Sequence, residues 1–315
     1  MAAVKIGVAG AGVFGSYHTA KISNLDGALL SGIYDADEAR AKALAEASST
    51  PAFNTYEALL AVVDAVVIAT PAVSHFELGK AALAAGKHMF VEKPVAVSVA
   101  TARALANLAS DKGLIFQAGH QERYVCEAMG LLSRARAPQR IDCVRHVPFT
   151  GRCGDVSAVL DLMVHDLDII HRLAPAEILN LNAEGDRDNI AAELFLSTGT
   201  LASVSARRGA QKSQRRITIV YDDGVIEFDF IRRTLSNTTA AELAPSFDAG
   251  TAPLAIRDPL AYGAELFLNS IQSGVHHGVS GAEAADVIVW ARQIEKTAGL
   301  ETSEIVSEIR SQAAS

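Results

Sequence analysis

The sequence is short of cysteine, of positive charge and of long apolar stretches. Its 315 residues include three cysteines, and 28 lysines and arginines stand against 36 aspartates and glutamates, for a formal net charge of −8. The cysteines, Cys126, Cys143 and Cys153, form no CxxC pair, and their odd number argues against a disulfide framework. We therefore expect a reducing cytoplasm as the location. The acidic balance argues against a nucleic-acid partner.

No stretch approaches the roughly 18 uncharged apolar residues that a membrane-spanning helix needs. The first ten residues are also unlike a signal peptide, because their apolar run is short and contains Lys5. We expect a soluble protein with no membrane partner. Half of the residues are hydrophobic and 20% are charged, which is enough to build a packed core. At about 100–200 residues per domain, the length suggests two domains.

The first 120 residues alternate between strand-like and helix-like segments. Strands are predicted over 4–8, 29–34, 65–69, 88–91 and 114–118, and helices over 14–25, 37–47, 74–85 and 98–112. Ser74 and Ser98 stand where they could cap two of these helices, and glycines at 86 and 113 could end them. Regular alternation predicts an α/β fold with a doubly wound parallel sheet, over residues 1–120.

The pattern changes after the first third of the chain. Strands are predicted over 141–149, 178–183, 190–197, 201–208, 216–221 and 225–230, interrupted by one helix over 156–173. Helices return over 260–273 and 282–297. Runs of strands predict an open, mostly antiparallel sheet in a second α/β domain, which we assign to residues 121–315.

A G-x-G-x-x-G turn follows the first predicted strand and opens the first predicted helix. It runs from Gly10 through Gly12, Val13 and Phe14 to Gly15. Gly10 would permit the tight turn, Gly12 would let a pyrophosphate approach the backbone, and Gly15 would allow close helix packing. This context favours a dinucleotide site over an ordinary glycine-rich turn.

Asp35 ends the second predicted strand, at the position where a carboxylate can accept both ribose hydroxyls of an adenosine. A carboxylate would repel a 2′-phosphate, so the residue favours NAD over NADP. Asp35 could also serve as the N-cap of the next helix, and both roles are compatible. Arg40 lies close enough in sequence to keep NADP open.

Two further groups of residues carry candidate chemistry. Lys93 follows a predicted strand directly and would point into the crevice at the strand ends, although a surface lysine in a turn is an equal alternative. Asp161, His165, Asp168 and Arg172 fall within about 60° of one face of the predicted helix 156–173. A carboxylate one turn from an imidazole can support a general base. A solvated helix face or a metal site would give the same pattern.

Four motifs follow one another along the chain: the Gly10–Gly15 turn, Thr70-Pro71 with His75, Glu92-Lys93-Pro94, and Asp161-x-x-x-His165-x-x-Asp168. In order and spacing, they resemble the glucose–fructose oxidoreductase / inositol dehydrogenase / MocA (GFO/IDH/MocA) family. The resemblance covers nearly the whole chain. It implies an N-terminal Rossmann domain and a C-terminal α/β domain whose open sheet builds dimers or tetramers. It also implies NAD(P)-dependent oxidation of a secondary alcohol on a sugar or polyol, without a metal.

The resemblance also implies residue roles. Lys93, Asp161 and His165 match the family's catalytic set, with His165 or Lys93 as the base. Glu92 and Lys93 would lie near the nicotinamide ribose, and Thr70, Pro71 and His75 would line the cofactor groove. Arg123 and Asp168 are expected to contact the substrate. The alternatives are an NAD- or sugar-sensing protein without activity, and a lyase or glycosidase that recycles bound NAD.

A narrower similarity is to the subgroup that contains UDP-N-acetylglucosamine 3-dehydrogenases. It rests on the segments 119–124 and 161–168, although Tyr124-Val125-Cys126 stands where that subgroup has Phe-Asn-Pro. Nucleotide sugars therefore join sugars and polyols as candidate substrates. Five cations, Arg207, Arg208, Lys212, Arg215 and Arg216, fall within ten residues and could bind a diphosphate. A solvated turn or a salt-bridged oligomer contact is the favoured alternative.

Overall fold

A computed structural model describes residues 2–149, 154–243, 245–248 and 250–300. Cys153 lies outside the described residues. Two compact units are present. The first comprises Met1–Ala135 and Glu242–Ile288, and the second comprises Arg136–Ala241 and Val289–Ser315. The division at residue 120 that the sequence suggests stays a prediction.

The strands fall into two sheets, one in each unit. Those of the first unit are β1 (Val4–Ala9), β2 (Ala28–Tyr34), β3 (Ala52–Phe53), β4 (Ala65–Ile68), β5 (His88–Val91) and β6 (Phe116–Ala118). Those of the second unit are β7 (Arg140–Val147), β8 (Ile178–Gly185), β9 (Asn189–Leu196), β10 (Leu201–Arg208), β11 (Gln214–Tyr221), β12 (Gly224–Asp229) and β13 (Thr234–Asn237). The short strands β3 and β13 have no counterpart in the sequence-based prediction.

Helices separate and follow these strands. In chain order they are α1 (Val13–Ser23), α2 (Glu38–Ala47), α3 (Tyr56–Val62), α4 (His75–Ala84), α5 (Val99–Asp111), α6 (Gln121–Ala128), α7 (Val164–Leu173), α8 (Leu254–Arg257), α9 (Pro259–Ser273) and α10 (Gly281–Thr297). Sequence periodicity did not predict α3, α6 and α8, which are the shortest of the set. No helix among the described residues is long and apolar enough to cross a membrane.

The sheet of the first unit has the strand order β3-β2-β1-β4-β5-β6, and every pairing in it is parallel. All four residues of β4 are buried, as expected for a strand covered on both faces. The apolar core beside it includes Ile6, Val8, Ile33 and Phe90 from the strands and Phe267 from α9. This parallel sheet with Rossmann strand order confirms the predicted fold of the N-terminal part.

Of the two serines expected to cap helices in the first unit, one does so. Ser98 accepts a hydrogen bond from the Thr101 backbone N–H at 3.2 Å and caps α5. Ser74 does not cap α4, so that prediction is wrong. A short 3-10 turn precedes α4, and the Ser74 hydroxyl points back to donate to Thr70 Oγ1 and the Pro71 carbonyl, both at 2.7 Å.

The sheet of the second unit has the order β13-β12-β11-β7-β10-β9-β8. Its pairings are antiparallel except for β7 beside β10, which is parallel. Side chains alternate along the central strands, with Ile141, Cys143 and Arg145 buried on one face of β7. The predicted open, mostly antiparallel sheet is therefore confirmed, and its buried face receives α7.

The single helix predicted over 156–173 is present over 158–173, with a π-helical turn inside it. Val159–Met163 forms a π-helical turn, and α7 begins at Val164. π-Helical turns are rare and occur often at functional sites. Asp161 lies in this turn and His165 in the first turn of α7, so the irregularity falls within the stretch of helix that carries both residues.

Candidate functional site

The glycine turn at the end of β1 has the geometry that a dinucleotide site requires. Gly10 has φ +102°, and a Cβ there would lie 2.5 Å from the Ala69 carbonyl oxygen. A Cβ on Gly15 would lie 1.8 Å from the Gly10 carbonyl oxygen, whereas one on Gly12 would meet nothing within 4 Å. Gly10 and Gly15 therefore serve the turn and the helix packing. Gly12 leaves open space beside the backbone, as the approach of a pyrophosphate demands.

Helix α1 begins directly after this turn without a side-chain cap. Gly12 is its N-cap and no side chain accepts a hydrogen bond there. Gly12 is exposed, and Val13 and Phe14, which follow it, are 43% and 42% exposed. The start of the helix is therefore accessible. A helix N-terminus of this kind presents N–H donors and a partial positive charge to an anion. The residues present fit the diphosphate of NAD.

Asp35 follows the last residue of β2, and its side chain is 9% exposed. One carboxylate oxygen accepts a hydrogen bond from the Ala11 backbone N–H at 2.7 Å, inside the glycine turn. The other accepts from the Asp37 N–H at 2.8 Å and from the Arg40 guanidinium at 3.1 Å. The N-cap of α2 is Asp37, whose side chain accepts from the Ala39 and Arg40 N–H groups, so the expectation that Asp35 caps this helix is wrong. The hydrogen bond from Ala11 thus fixes the Asp35 side chain against the glycine turn, and Arg40 lies beside it.

The predicted groove residues Thr70, Pro71 and His75 lie between the end of β4 and the start of α4. The His75 ring is 1% exposed, and its two nitrogens lie 2.9 Å from the Thr70 carbonyl oxygen and 2.8 Å from that of Pro94. Pro71 is exposed at the head of the 3-10 turn. His75 therefore links the end of β4 to the loop that carries Lys93. Its direct contact with a cofactor stays a prediction.

Glu92 is the centre of a buried polar cluster at the end of β5. Its Oε1 lies 2.7 Å from His18 Nε2 and accepts a hydrogen bond from Gln121 Nε2 at 2.8 Å. Its Oε2 accepts from the Lys93 backbone N–H at 3.3 Å. A Cβ on Gly119 would lie 2.8 Å from this carboxylate, so a glycine at this position leaves space for the Glu92 side chain.

The Glu92 carboxylate is held in its charged form despite its burial. Burial alone would raise its pKa, but the hydrogen bond and charge of His18, the charge of Lys93 and the Gln121 hydrogen bond together lower the pKa below its ordinary value. Lys93 itself is half-buried, and its peptide bond to Pro94 is cis. A fixed negative charge therefore stands next to the lysine that the family resemblance marks as catalytic.

Arg123, a predicted substrate contact, lies in α6 with its side chain 5% exposed. Its NH1 donates to Glu283 Oε1 at 2.5 Å. Glu283 also accepts from the backbone N–H of Ser280 at 2.9 Å and from its hydroxyl at 2.8 Å, which together form a capping box at the start of α10. Burial would raise the pKa of Glu283, but Arg123 and Ser280 lower it. Arg123 thus has a structural partner, and its contact with a substrate stays a prediction.

In the second unit, Asp161 and Asp168 are 7% and 1% exposed, and His165 is half-buried. The solvated-face interpretation is therefore wrong for both aspartates, because both are buried. Asp166, which falls off the predicted polar stripe, forms a buried two-point ion pair with Arg145, at 2.8 Å to Nε and 2.7 Å to NH2. This pair ties the first turn of α7 to β7.

The basic cluster separates into exposed and buried members. Arg207, Lys212 and Arg216 are exposed. Arg208 is buried, and Arg215 packs its guanidinium 5.5 Å from the centre of the Phe230 ring. Burial lowers the pKa of Arg215 to about 10. At most three of the five cations are therefore open to a diphosphate.

Three residues of these clusters were not identified from the sequence, and a fourth, Arg208, was identified only as part of the basic cluster. His18 and Gln121 hold Glu92, Arg145 holds Asp166, and Arg208 faces Asp161. A histidine on the buried face of α1 was the one available signal for His18. The others depend on which strands become neighbours. Among the described residues, no group of three or more His, Cys, Asp or Glu side chains is placed to hold a metal ion.

Comparison with known proteins agrees with the fold. Residues 4–120 match the GFO/IDH/MocA family model, described as "Oxidoreductase family, NAD-binding Rossmann fold". The UDP-N-acetylglucosamine 3-dehydrogenase of Acidithiobacillus ferrooxidans is 33% identical over 303 residues, which cover 92% of this chain and 96% of that protein. The chain belongs to the GFO/IDH/MocA family. It is an oxidoreductase, and the family acts on CH–OH groups.

Other relatives define the range of the family. The inositol 2-dehydrogenase of Rhizobium meliloti is 28% identical over 71% of this chain and 74% of its own. The solved structure of the Acidithiobacillus ferrooxidans enzyme superposes with a TM-score of 0.83 over 94% of this chain and 98% of that one, at 32% identity. GenD2 from gentamicin A biosynthesis, solved with NAD, has a TM-score of 0.80 at 19% identity over 95% of each chain and shows the shared fold. Relatives of this chain therefore include sugar, polyol and nucleotide-sugar oxidoreductases.

Proposed function

We propose that this protein is an NAD-dependent dehydrogenase that oxidises a secondary alcohol on the sugar ring of a nucleotide sugar. The observation that carries the proposal is the combination of a pyrophosphate-accepting glycine turn with a charged Glu92 beside Lys93. The similarity to a UDP-N-acetylglucosamine 3-dehydrogenase over 92% of the chain favours nucleotide sugars over free sugars and polyols.

The preference for NAD rests on Asp35. Its carboxylate is fixed by the Ala11 N–H and stands where the adenosine ribose is held in Rossmann domains. A 2′-phosphate would meet this negative charge at close range. Arg40 offsets part of the repulsion, but it is 59% exposed and its charge is screened by water. We therefore expect NAD to be used well and NADP poorly.

The remaining predicted cofactor contacts are divided by role. The backbone of Gly10, Gly12, Val13, Phe14 and Gly15 would hold the diphosphate, and Thr70, Pro71, His75 and Glu92 would line the nicotinamide side. Bound NAD supplies the hydride acceptor.

The protein supplies the proton chemistry through three residues. His165 accepts the proton of the substrate hydroxyl, Lys93 stabilises the negative charge that develops on that oxygen, and Asp161 orients the imidazole. A positioned general base contributes about 10²–10⁴-fold to the rate of such a step. Arg123 and Asp168 are assigned to the substrate's polar groups.

The assembly and location of the protein are part of the same proposal. The outer face of β7 to β10 carries half-buried polar residues and an exposed Phe195, 45% exposed. We propose that this face joins copies into a dimer or tetramer. We also propose a cytoplasmic location, where NAD and nucleotide sugars are available.

The test is reduction of NAD, followed at 340 nm, with UDP-N-acetylglucosamine, UDP-glucose, free N-acetylglucosamine and myo-inositol. Turnover with a UDP-sugar, and little with free sugars, is the expected result. Lys93→Ala and His165→Ala should each lower kcat by about 10²–10⁴-fold. Wild-type turnover in both variants would contradict the residue assignment.

The same experiment addresses the other activities of this fold. NAD that remains bound through dialysis, with no net reduction by any substrate of the panel, would contradict the dehydrogenase proposal and favour a lyase or glycosidase that recycles its cofactor. Preferred turnover of myo-inositol would leave the dehydrogenase in place and overturn the nucleotide-sugar assignment.

A further inference from the structure

Arg208 is the last residue of β10, and its position differs from that of the other basic residues around it. Its side chain is 6% exposed, although its sequence neighbours Arg207 and Gly209 are exposed. The alternation of β10 explains this difference, because Ala202, Val204 and Ala206 face the buried side and Arg208 continues their row. The guanidinium therefore lies on the covered face of the sheet.

The buried guanidinium reaches acceptors from three parts of the second unit. Its NH1 donates to Asp188 Oδ1 at 3.2 Å, and its Nε lies 3.4 Å from Asp161 Oδ2, an ion-pair contact in which Nε forms no hydrogen bond. Its NH2 donates to the Val156 carbonyl at 2.5 Å. The Arg208 backbone N–H adds a bond to the Asp188 carbonyl at 2.8 Å. One side chain thus contacts the chain before the π-helical turn, the turn itself and a loop between strands.

The two carboxylates that Arg208 contacts differ in how strongly water screens their charge. The Asp188 side chain is 51% exposed, whereas that of Asp161 is 10% exposed. Charge interactions between buried groups are screened less than those at the surface. Asp161 is therefore the carboxylate on which the Arg208 charge acts most strongly, and Asp188 mainly orients the guanidinium from the solvent side.

Arg208 contacts Asp161 at an irregular part of the helix. Asp161 lies in the π-helical turn Val159–Met163, although its own backbone N–H keeps the regular bond to the Ser157 carbonyl at 2.9 Å. Arg208 bonds the Val156 carbonyl on the N-terminal side of this turn and faces the Asp161 carboxylate within it. The planar guanidinium, oriented by its bond to this carbonyl, holds its charge against the carboxylate in one direction, which an ammonium would not define.

We propose that Arg208 is a positioning residue for the reaction, which holds the Asp161 carboxylate in its working orientation through the buried ion pair. The proposal rests on the proposed function, in which Asp161 orients the base His165. It also assigns a role to one member of the basic cluster: Arg208 serves the catalytic helix, and binding of a diphosphate is left to exposed cations.

The test is a double-variant cycle on turnover with the UDP-sugar that the 340 nm assay identifies. Arg208→Gln should lower kcat by about 100-fold, because a shift of about 1 Å in a catalytic group costs this much. The KM for NAD should not change, since the predicted NAD contacts lie in the first unit. The Arg208→Gln, Asp161→Asn double variant should be no slower than Asp161→Asn alone, because Arg208 acts through Asp161.

Two further variants separate positioning from folding. Arg208→Lys retains the charge but not the planar fork, and it should regain part of the lost kcat. Arg232→Gln is the matched control, because Arg232 is an arginine of the same unit whose side chain is 81% exposed, and its kcat should equal that of the wild type. If Arg208→Gln does not fold, Arg208→Lys replaces it in the cycle. It should then lower kcat when Asp161 is intact and cause no further loss when it is combined with Asp161→Asn.

The outcomes distinguish the inference from the function it rests on. If Asp161→Asn keeps wild-type kcat, the proposed role of Asp161 fails, whatever Arg208 does. If Asp161→Asn loses activity but the Arg208 variants keep wild-type kcat, the positioning proposal is overturned. The same follows if the two effects multiply in the double variant, since independent losses would mean that Arg208 supports only the fold.

Discussion

Substitution of Glu92 by glutamine tests whether the buried cluster behind Lys93 is held by charge. The exchange keeps the shape of the side chain and one oxygen in the place of Glu92 Oε1. This oxygen can still accept from His18 Nε2, 2.7 Å away, and from Gln121 Nε2, 2.8 Å away. The other oxygen becomes an NH2 group. It then faces the Lys93 backbone N–H, 3.3 Å away, with donor against donor.

The expected loss can be derived from these contacts. A hydrogen bond to a charged group contributes about 1.5–3 kcal/mol, and Glu92→Gln removes the charge and one acceptor. We expect a loss of about 2 kcal/mol in the free energy of unfolding of the first unit at neutral pH, which is roughly a 30-fold change in its equilibrium constant.

The loss should depend on pH in a defined direction. Because the folded-state pKa of Glu92 lies below its ordinary value of 4.5, the carboxylate stabilises the folded protein above that value. This stabilisation disappears as the pH falls through the lowered folded-state pKa and the wild-type side chain becomes neutral. The difference between wild type and Glu92→Gln should therefore be full at pH 7 and decrease below pH 4.5.

Urea unfolding followed by far-ultraviolet circular dichroism at pH 7.0, 5.0 and 4.0 measures this difference. Trp290, the one tryptophan, belongs to the second unit, so its fluorescence reports a region that the substitution does not touch. Glu77→Gln is the matched control, because Glu77 is an exposed acid in the first turn of α4. An equal effect of both substitutions at pH 7, or a difference that grows in acid, would refute the reasoning.

Three more predictions follow from other contacts. Gly15→Ala should unfold or strongly destabilise the protein, because its Cβ would lie 1.8 Å from a backbone oxygen, whereas Gly12→Ala should keep wild-type thermal stability and weaken NAD binding in a fluorescence titration. Arg145→Met should cost about 3–5 kcal/mol in urea unfolding by leaving Asp166 buried without its two-point partner, and a smaller cost in the Arg145→Met, Asp166→Leu double variant would support this cause. Asp35→Ser should raise the NADP/NAD ratio of kcat/KM by about 10-fold or more, and an unchanged ratio would remove Asp35 as the selecting group.

The sequence predicted those parts of the fold whose signals are local. Periodicity and flanking glycines located nine of the strands and helices of the first 120 residues to within two residues at most ends, because each depends on its own side chains. The glycine turn was also predictable, since its three glycines have separate steric reasons. The open face at Gly12 and the close approach at Gly15 confirm that reasoning.

The elements and contacts that sequence reasoning missed depend on partners far along the chain. The π-helical turn at Val159–Met163 has no signature in a pattern of apolar residues, so a regular α-helix was predicted there. Arg145 and Arg208 resemble surface cations until β7 and β10 are placed side by side with their inner faces toward Asp166 and Asp161. His18 likewise acquires its partner only when β5 brings Glu92 to α1.

The first unit is assembled from two separate stretches of chain, and this order has a consequence for synthesis. Its core includes Phe267, and the edge of β6 is joined at Gln117 by Ser280. Phe267 and Ser280 leave the ribosome about 130 and 145 residues after Ala135. At the usual elongation rate this is a delay of roughly 10–30 s, during which the nascent N-terminal sheet has an uncovered apolar face and an open edge. A truncated gene that ends after the Rossmann strands should therefore yield an aggregating product, and the growing chain is a natural client for a ribosome-associated chaperone.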